Sequence, residues 1–251
     1  LSTWAGPVSL ALGAEHRKEG MVGIASRLDL AAAYFAGNFG ASVSRDGGLT
    51  WVPSPEGMAA FSFADDLTGL GVASTGLYRT TDGGETFTLV QAGAAEAVAF
   101  LSSTVAVAIV DGNLVRSADG GVTWTGGTAA EGRTRVFAVS ADVALAWGRS
   151  GTHPDYDDRI LRSADGGATW TDLGEVIAAD PFGTPFAFTV PAGEIVIASN
   201  GAGDLYRSAD AGLTWAQTFA TPGPIPGFLG TVAPVFADAQ TGYFGFGAGF
   251  V

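Results

Sequence analysis

The side chains best suited to chemistry in this sequence are concentrated in one segment, residues 148–159. Within it, or shortly before it, lie eight polar or aromatic residues: Arg135, Arg149, His153, Asp155, Tyr156, Asp157, Asp158 and Arg159. Such a group could bind a sugar, ligate Ca²⁺ through oxygen atoms or supply an acid–base pair. A solvated loop with internal Arg–Asp pairs is the alternative. We interpret the eight residues as a candidate ligand-binding site and assign none of them a catalytic role.

Metal and cofactor chemistry has little other support in the sequence. The chain has two histidines, at positions 16 and 153, and no cysteine, so we predict neither a histidine-rich nor a thiolate metal site. The nucleophile, zinc and phosphate-binding motifs Gly-x-Ser-x-Gly, His-Glu-x-x-His and Gly-Lys-Ser/Thr do not occur. We therefore expect no cofactor, with Ca²⁺ at residues 153–158 as the one exception considered.

The charge balance restricts the partners that we expect. The formal net charge is −13, with 12 Lys and Arg residues against 25 Asp and Glu residues. An acidic surface repels phosphate backbones and anionic lipids, so we expect no nucleic-acid partner. No segment approaches the ~20 consecutive apolar residues of a membrane-spanning helix, so we also expect no membrane insertion.

The elements that position the candidate site are indicated by an eight-residue pattern that occurs five times. It has the form Ser/Thr-x-Asp-x-Gly-x-Thr-Trp/Phe, and the repeats are Ser44–Trp51, Thr80–Phe87, Ser117–Trp124, Ser163–Trp170 and Ser208–Trp215. Their aspartates, Asp46, Asp82, Asp119, Asp165 and Asp210, recur at intervals of 36 to 46 residues. A period of this size is typical of a repeat architecture.

Each repeat has the composition of a tight turn between two antiparallel strands. Glycine adopts the positive φ that such a turn requires, and an aspartate side chain accepts hydrogen bonds from turn N–H groups. The Thr and Trp that follow suit the start of a strand. We therefore expect Asp46, Asp82, Asp119, Asp165 and Asp210 to be structural rather than catalytic.

The pattern resembles the Asp-box, or BNR repeat, of a superfamily of β-propellers that includes sialidases and other glycosidases. The resemblance implies an all-β fold with four-stranded antiparallel blades and an Asp-box in each third-to-fourth strand turn. Counting the repeats together with Thr3-Trp4 gives six blades, the last closed by strands from the N- and C-terminal ends. We therefore predict one six-bladed propeller domain over residues 1–251, with ligands on the face opposite the Asp-boxes.

Two further segments are similar to the photosystem II stability/assembly factor group of Asp-box propellers. They are Phe63–Gly69 and Phe236–Gly242, each with the form Phe-x-Asp-x-x-x-Gly. The resemblance implies a non-catalytic platform for protein partners, often secreted or lumenal. We therefore predict a monomeric, non-catalytic platform outside the cell or in the periplasm that binds a protein or carbohydrate ligand. This chain differs from that group in its acidic charge and in its six blades.

A glycoside hydrolase, sialidase-like or another exo-glycosidase, is the alternative function. It would use carboxylates of the ligand-binding face, with Asp155, Asp157 or Asp158 facing Glu131 or Asp180 across the channel. The Arg-Ile-Pro start that is usual in sialidases does not occur in the sequence.

Overall fold

The fold is described here from a computed structural model of the chain. It covers residues 21–25, 33–37, 40–44, 49–53, 57–148, 150–152, 155–157, 159–177, 187–200, 203–220, 234–236 and 240–244. The regular structure of these ranges consists of 24 strands, which form five four-stranded antiparallel sheets and two strand pairs. The predicted closing strands at the two chain ends lie outside the described residues, as does Asp46.

Each four-stranded sheet is formed by one continuous stretch of chain. The first contains β1 (Met21–Ala25), β2 (Ala33–Gly37), β3 (Gly40–Ser44) and β4 (Val52–Pro53). The second contains β5 (Ala60–Phe63), β6 (Gly69–Ala73), β7 (Gly76–Thr80) and β8 (Thr88–Ala92). The third contains β9 (Ala95–Phe100), β10 (Ala106–Val110), β11 (Asn113–Ser117) and β12 (Thr125–Ala129).

The later sheets follow the same order, with one insertion. The fourth contains β13 (Arg135–Ala138), β14 (Ala144–Trp147), β17 (Leu161–Ser163) and β18 (Thr171–Asp172), and the hairpin β15 (Ser150–Thr152) and β16 (Asp155–Asp157) is inserted after β14. The fifth contains β19 (Ala187–Ala192), β20 (Ile195–Ser199), β21 (Leu205–Ser208) and β22 (Ala216–Phe219). A final pair consists of β23 (Val235–Phe236) and β24 (Gly242–Tyr243).

Neighbouring sheets pack face to face, with their first strands side by side. Strand β9 contacts β5 and β6 of the preceding sheet and β13 of the following one. Every residue of β10 is buried, because both faces of the third sheet are covered by its neighbours. Every residue of β12 and β22 is exposed. The first strand of a sheet is therefore internal and the fourth is external.

The core is divided among the interfaces between sheets. Leu70 and Leu77 of the second sheet pack with Val98 and Phe100 of the third, and burial of such a side chain stabilises a fold by about 2 kcal/mol. The interface between the fourth and fifth sheets contains the following buried side chains: Leu145, Trp147, Ile160, Phe188, Val196 and Tyr206.

The repeats connect third to fourth strands, and their hydrogen bonds close the connection. In the third sheet the Ser117 hydroxyl donates to Asp119 Oδ1 (2.7 Å) and accepts from the Gly121 N–H (2.8 Å). The other carboxylate oxygen accepts from the Thr123 hydroxyl (2.5 Å). Asp82, Asp165 and Asp210 make equivalent bonds. The carboxylate therefore holds both ends of each turn.

The third, fourth and fifth repeats are also bound to the preceding sheet, each by an arginine. Three guanidinium Nε–H groups donate to the carbonyl that follows the aspartate of the next repeat: Arg79 to Gly120 (2.7 Å), Arg116 to Gly166 (2.8 Å) and Arg162 to Ala211 (3.0 Å). The arginine that precedes a repeat therefore has a structural role, because it joins adjacent sheets.

The second glycine of these repeats is required by the same contact between a repeat and the preceding sheet, which we call the joint. Gly121, Gly167 and Gly212 have φ of 86°, 87° and 82°. A Cβ at Gly121 would lie 2.7 Å from a methyl of Leu70, and one at Gly167 would overlap Cγ1 of Val107. Since Leu70 and Val107 lie on the second strand of the preceding sheet, a side chain here would separate the two sheets.

We predict that Gly167→Ala destabilises the chain more than Gly112→Ala does. Gly112 has φ of 69° and open space around its Cβ position, so its substitution costs only the left-handed strain of about 1–2 kcal/mol. Gly167→Ala adds the overpacking against Val107, about 1–3 kcal/mol more. Urea unfolding of both variants measures the difference, and equal losses would contradict the joint described here.

We also predict that stability falls between about pH 4 and pH 2. Hydrogen bonds from the following threonine, first its hydroxyl and then its N–H, lower the pKa of Asp165 and Asp210 from 3.8 to about 2. The pKa values of Asp82 and Asp119 are lowered further for the same reason. The stabilisation that these four carboxylates supply is complete at pH values above their unfolded-state pKa. It is lost as the pH falls through their lower folded-state pKa values.

Chemical denaturation from pH 6 to pH 2 tests this dependence. Thr169→Val removes the hydroxyl that lowers the pKa of Asp165 most, so the acid-induced loss of stability should be smaller. Thr128→Val, at an exposed position of β12, is the matched control. Identical pH slopes for the two variants would refute the assignment.

Candidate functional site

The segment that carries the candidate ligand-binding residues is a hairpin rather than the irregular loop that its composition suggests. Strands β15 and β16 pair antiparallel, with Ser150 opposite Asp157 and Thr152 opposite Asp155. Asp155, Tyr156 and Asp157 form β16. Arg149, His153 and Asp158 lie outside the described residues. The predicted Ca²⁺ site at 153–158 therefore stays a prediction.

The hairpin lies on the face opposite the repeats. It connects the end of β14 to the start of β17, whereas the fourth repeat follows the end of β17. The crossover from the third sheet to β13 reaches the same face. The sequence places the candidate residues on this face, and the strand directions bring Arg135 and Arg159 to the base of the hairpin.

Arg135 is an exposed cation at the start of the internal strand β13. It lies opposite Trp147 in the sheet, and its Nη1 donates to the carbonyl of Thr134 (2.9 Å). Desolvation by surrounding protein lowers the pKa of Arg135, and the negative charge of Glu96 on β9 opposes this shift. Arg135 is therefore accessible to water and also partly desolvated by the protein around it.

Arg133 connects the crossover to the base of the hairpin and is almost completely buried, with 1% of its surface exposed. Its Nε donates to the carbonyl of Arg159 (3.2 Å), and its Nη1 donates to the carbonyl of Glu131 (2.6 Å). The same Nη1 lies 3.8 Å from Oε2 of Glu131. One guanidinium therefore links residues before β13 to the residue that ends the hairpin.

Gly148 brings the other end of the hairpin against the same crossover. The N–H of Thr134 donates to the carbonyl of Trp147 (3.1 Å). A Cβ at Gly148 would lie 2.6 Å from that nitrogen and 2.9 Å from Cα of Arg133. The hairpin therefore leaves β14 in direct contact with the crossover backbone.

Arg159 holds the outer side of the hairpin base. Its Nη2 lies 2.8 Å from Oδ2 of Asp172 on β18, and Oδ1 of Asp172 accepts from the Gly174 N–H (2.7 Å). The arginine side chain is 44% exposed, so a ligand could still reach it. Arg133 and Arg159 thus fix the hairpin to the inner and outer parts of the fourth sheet.

The carboxylates described near the hairpin have structural contacts. Glu131 faces Arg133, Asp172 faces Arg159, and Oδ1 of Asp111 accepts from the Ala94 N–H (2.7 Å). Glu131 lies in the crossover before β13, and its pairing with a hairpin carboxylate across the channel stays a prediction. Asp180 lies outside the described residues. Within the described ranges, no three His, Asp or Glu side chains gather closely enough to hold a metal ion.

Aromatic side chains form a rigid layer next to this site. Trp147 and Phe188 meet edge to face with their ring centroids 4.3 Å apart, and Trp215 of the fifth repeat continues the row at 5.8 Å from Phe188. Edge-to-face pairs of this kind add to the stability of a buried interface. Strand β14, which leads into the hairpin, therefore ends at Trp147 in a well-packed aromatic cluster.

Comparison with known proteins identifies the fold. No family model matches the chain, and no curated protein matches its sequence. A GH74 enzyme from Niastella koreensis superposes with a TM-score of 0.54 at 19% identity, over 74% of this chain and 36% of that enzyme. YCF48 bound to a D1 peptide superposes with a TM-score of 0.55 at 16% identity, over 84% of this chain and 70% of YCF48. The fold is a β-propeller.

A third propeller covers most of this chain. Regucalcin from Agrobacterium tumefaciens, a calcium-binding protein, superposes with a TM-score of 0.52 at 12% identity, over 93% of this chain and 81% of regucalcin. By contrast, the chain spans only about a third of the length of the GH74 enzyme. In the described part of the propeller, no helix is long and apolar enough to cross a membrane.

We predict that Arg133→Met loosens the hairpin. The substitution removes the donors to Glu131 and Arg159, and each hydrogen bond from a charged group contributes about 1.5–3 kcal/mol. Hydrogen exchange of amides 150–157 should therefore accelerate at least about tenfold. Arg116→Met, which removes a joint between sheets far from the hairpin, is the control. If both variants accelerate exchange at 150–157 equally, Arg133 does not position the hairpin.

Proposed function

We propose that residues 1–251 form one six-bladed propeller whose last blade combines strands from both chain ends. Five four-stranded sheets and the pair β23–β24 support this count. A Cβ at Gly242 would meet the Phe236 ring at 2.7 Å, and Gly69 is enclosed by Phe63 in the same way. The pair β23–β24 therefore has the local packing of the first two strands of a sheet. The five repeats would then be the Asp-boxes of this propeller.

The function that we propose is a non-catalytic binding platform for a protein or carbohydrate ligand, on the face opposite the repeats. The observation that carries the proposal is the exposed cation Arg135 at the start of β13, on the same face as a hairpin whose base Arg133 and Arg159 hold in place. The structural contacts of Glu131, Asp111 and Asp172 agree with binding rather than acid–base chemistry. YCF48, whose structure contains a D1 peptide, supports a peptide as one ligand class.

The setting of this platform follows from the same proposal. We propose an extracellular or periplasmic monomer. Its net charge of −13 disfavours nucleic acid and anionic membrane surfaces as partners. The ligand would contact Arg135 and Arg159 together with residues of the hairpin segment: Arg149, His153, Asp155, Tyr156, Asp157 and Asp158. Ca²⁺ at 153–158 would order that segment.

A glycoside hydrolase is the second candidate, and the GH74 neighbour favours it. Hydrolysis requires two carboxyl groups about 5–10 Å apart around the scissile bond. On this chain the pair would come from Asp155, Asp157 or Asp158 together with Glu131 or Asp180.

A binding screen with a matched pair of variants tests the platform. The chain is applied to a glycan array and to a displayed peptide library, and the affinity of each hit is measured for the wild type and for Arg135→Ala. We expect at least about tenfold weaker binding for Arg135→Ala, equivalent to ~1.4 kcal/mol. Glu85→Ala, at an exposed position of the second repeat, should bind like the wild type.

Two outcomes would reject the platform in favour of another function. Release of 4-nitrophenol from a panel of 4-nitrophenyl glycosides, abolished by Asp155→Asn or Asp157→Asn, would make the chain a hydrolase. Hits that weaken equally in Arg135→Ala and Glu85→Ala would place the ligand elsewhere.

A further inference from the structure

A cleft of about 200 Å³ lies on the repeat face, between the fourth sheet and the fifth repeat. Its lining has a polar part, the polar wall of Arg162, Asp165, Thr169 and Thr171, and an apolar part, the apolar wall that contains Leu173 and Leu213. Leu173 directly follows Asp172, which holds Arg159 at the base of the hairpin, so the cleft runs along the outer side of the fourth sheet. Arg135, Arg159 and the hairpin strands are not among the residues that line it.

The cleft lies beside the outer strand of the fourth sheet. Strand β18 pairs with β17 at Thr171 and Asp172, and the N–H of Leu173 continues the pairing by donating to the carbonyl of Ile160 (2.9 Å). After Leu173 the chain turns at Gly174, which has φ of 74° and donates its N–H to Asp172. Thr171 and Leu173 are two residues apart on one extended segment, so both side chains lie on the face that lines the cleft.

The pair of leucines distinguishes this joint from the one before it. Residue 213 is the variable position of its repeat, occupied by Leu49, Glu85, Val122 and Ala168 in the first to fourth repeats. The equivalent joint between the third sheet and the fourth repeat has Gly127 where this one has Leu173, and Ala168 where this one has Leu213. That joint has the same Arg and Thr residues but no comparable apolar wall.

The polar wall keeps its charge and its donors at neutral pH. Hydrogen bonds from Thr169 lower the pKa of Asp165 to about 2, so the carboxylate is ionised and can accept from a ligand hydroxyl. Arg162 is fixed by its Nε bond to Ala211, which holds the guanidinium beside the cleft. A multiply charged anion would be repelled by Asp165, and a cation would be repelled by Arg162.

We propose that this cleft binds one neutral sugar ring, independently of the platform function. A pyranose has an apolar C–H face, suited to Leu173 and Leu213, and hydroxyls that match Asp165, Arg162 and Thr171. The volume of about 200 Å³ is below that of pockets for drug-sized ligands and suits a single ring. Leu213 is 47% exposed, so the ring can enter from solvent.

Methyl NMR of Leu173 and Leu213 tests the proposal. Methyl β-D-glucopyranoside, methyl β-D-galactopyranoside and methyl α-D-mannopyranoside are titrated to about 50 mM, since ligands this small bind with Kd values on the order of millimolar. We expect saturable shifts of the two leucine methyls with at least one glycoside. The absence of saturable shifts with all three would overturn the proposal.

Two variants and two controls locate the binding. Thr171→Trp fills the cleft, and Leu213→Glu introduces the residue found at this position in the second repeat; each should weaken binding at least tenfold, read from the methyl of Leu173. Thr125→Trp, at the equivalent position of the third sheet, should bind like the wild type. Shifts that persist in both cleft variants would show that the sugar binds elsewhere.

The second control, Arg135→Ala, should leave these shifts unchanged. Failure of the platform proposal and failure of the sugar site are therefore distinguishable. Loss of the leucine shifts in Arg135→Ala would contradict a separate site on the repeat face.

Discussion

The aspartate carboxylate of each repeat is the interaction on which the described sheets depend. At Asp119 it accepts from the Ser117 hydroxyl at one end of the turn and from the Thr123 hydroxyl at the other. With the side chain bridging the turn, the carbonyl of Gly120 remains available to Arg79 of the preceding sheet. One short motif therefore sets both the hairpin between the outer strands and the spacing between sheets, which is why its repetition produces a propeller.

The face opposite the repeats lacks this constraint, so its connections can vary. In the second and third sheets the second and third strands are joined by two-residue turns, after Ala73 and after Val110. In the fourth sheet the same connection contains the hairpin β15–β16, which lies outside the repeat pattern and needs its own anchors. Arg133, Arg159 and Gly148 supply them from the crossover, the outer strand and the strand end.

The sequence predicts the strands and turns that the repeat specifies. It does not predict side-chain contacts that depend on other segments of the chain. The all-β class and the four-stranded sheets follow from the repeat period. The burial of Arg133 could not be predicted, because an arginine between Gly132 and Thr134 has the local composition of an exposed turn. Nor does the composition of residues 148–159 show that they pair as strands, since Arg, Asp and Gly are typical of irregular loops.

The buried guanidinium of Arg133 favours a preorganised hairpin over a flexible one. Removing a guanidinium from water costs several kcal/mol, and an apolar residue of similar volume would avoid that cost. An apolar residue would, however, leave the carbonyls of Glu131 and Arg159 without these donors. A hairpin that these hydrogen bonds already fix loses little conformational entropy when a ligand binds. More of the interaction energy between the ligand and Arg135 therefore contributes to affinity. Arg133 therefore contributes to recognition through the position of the hairpin relative to Arg135, without itself reaching the surface.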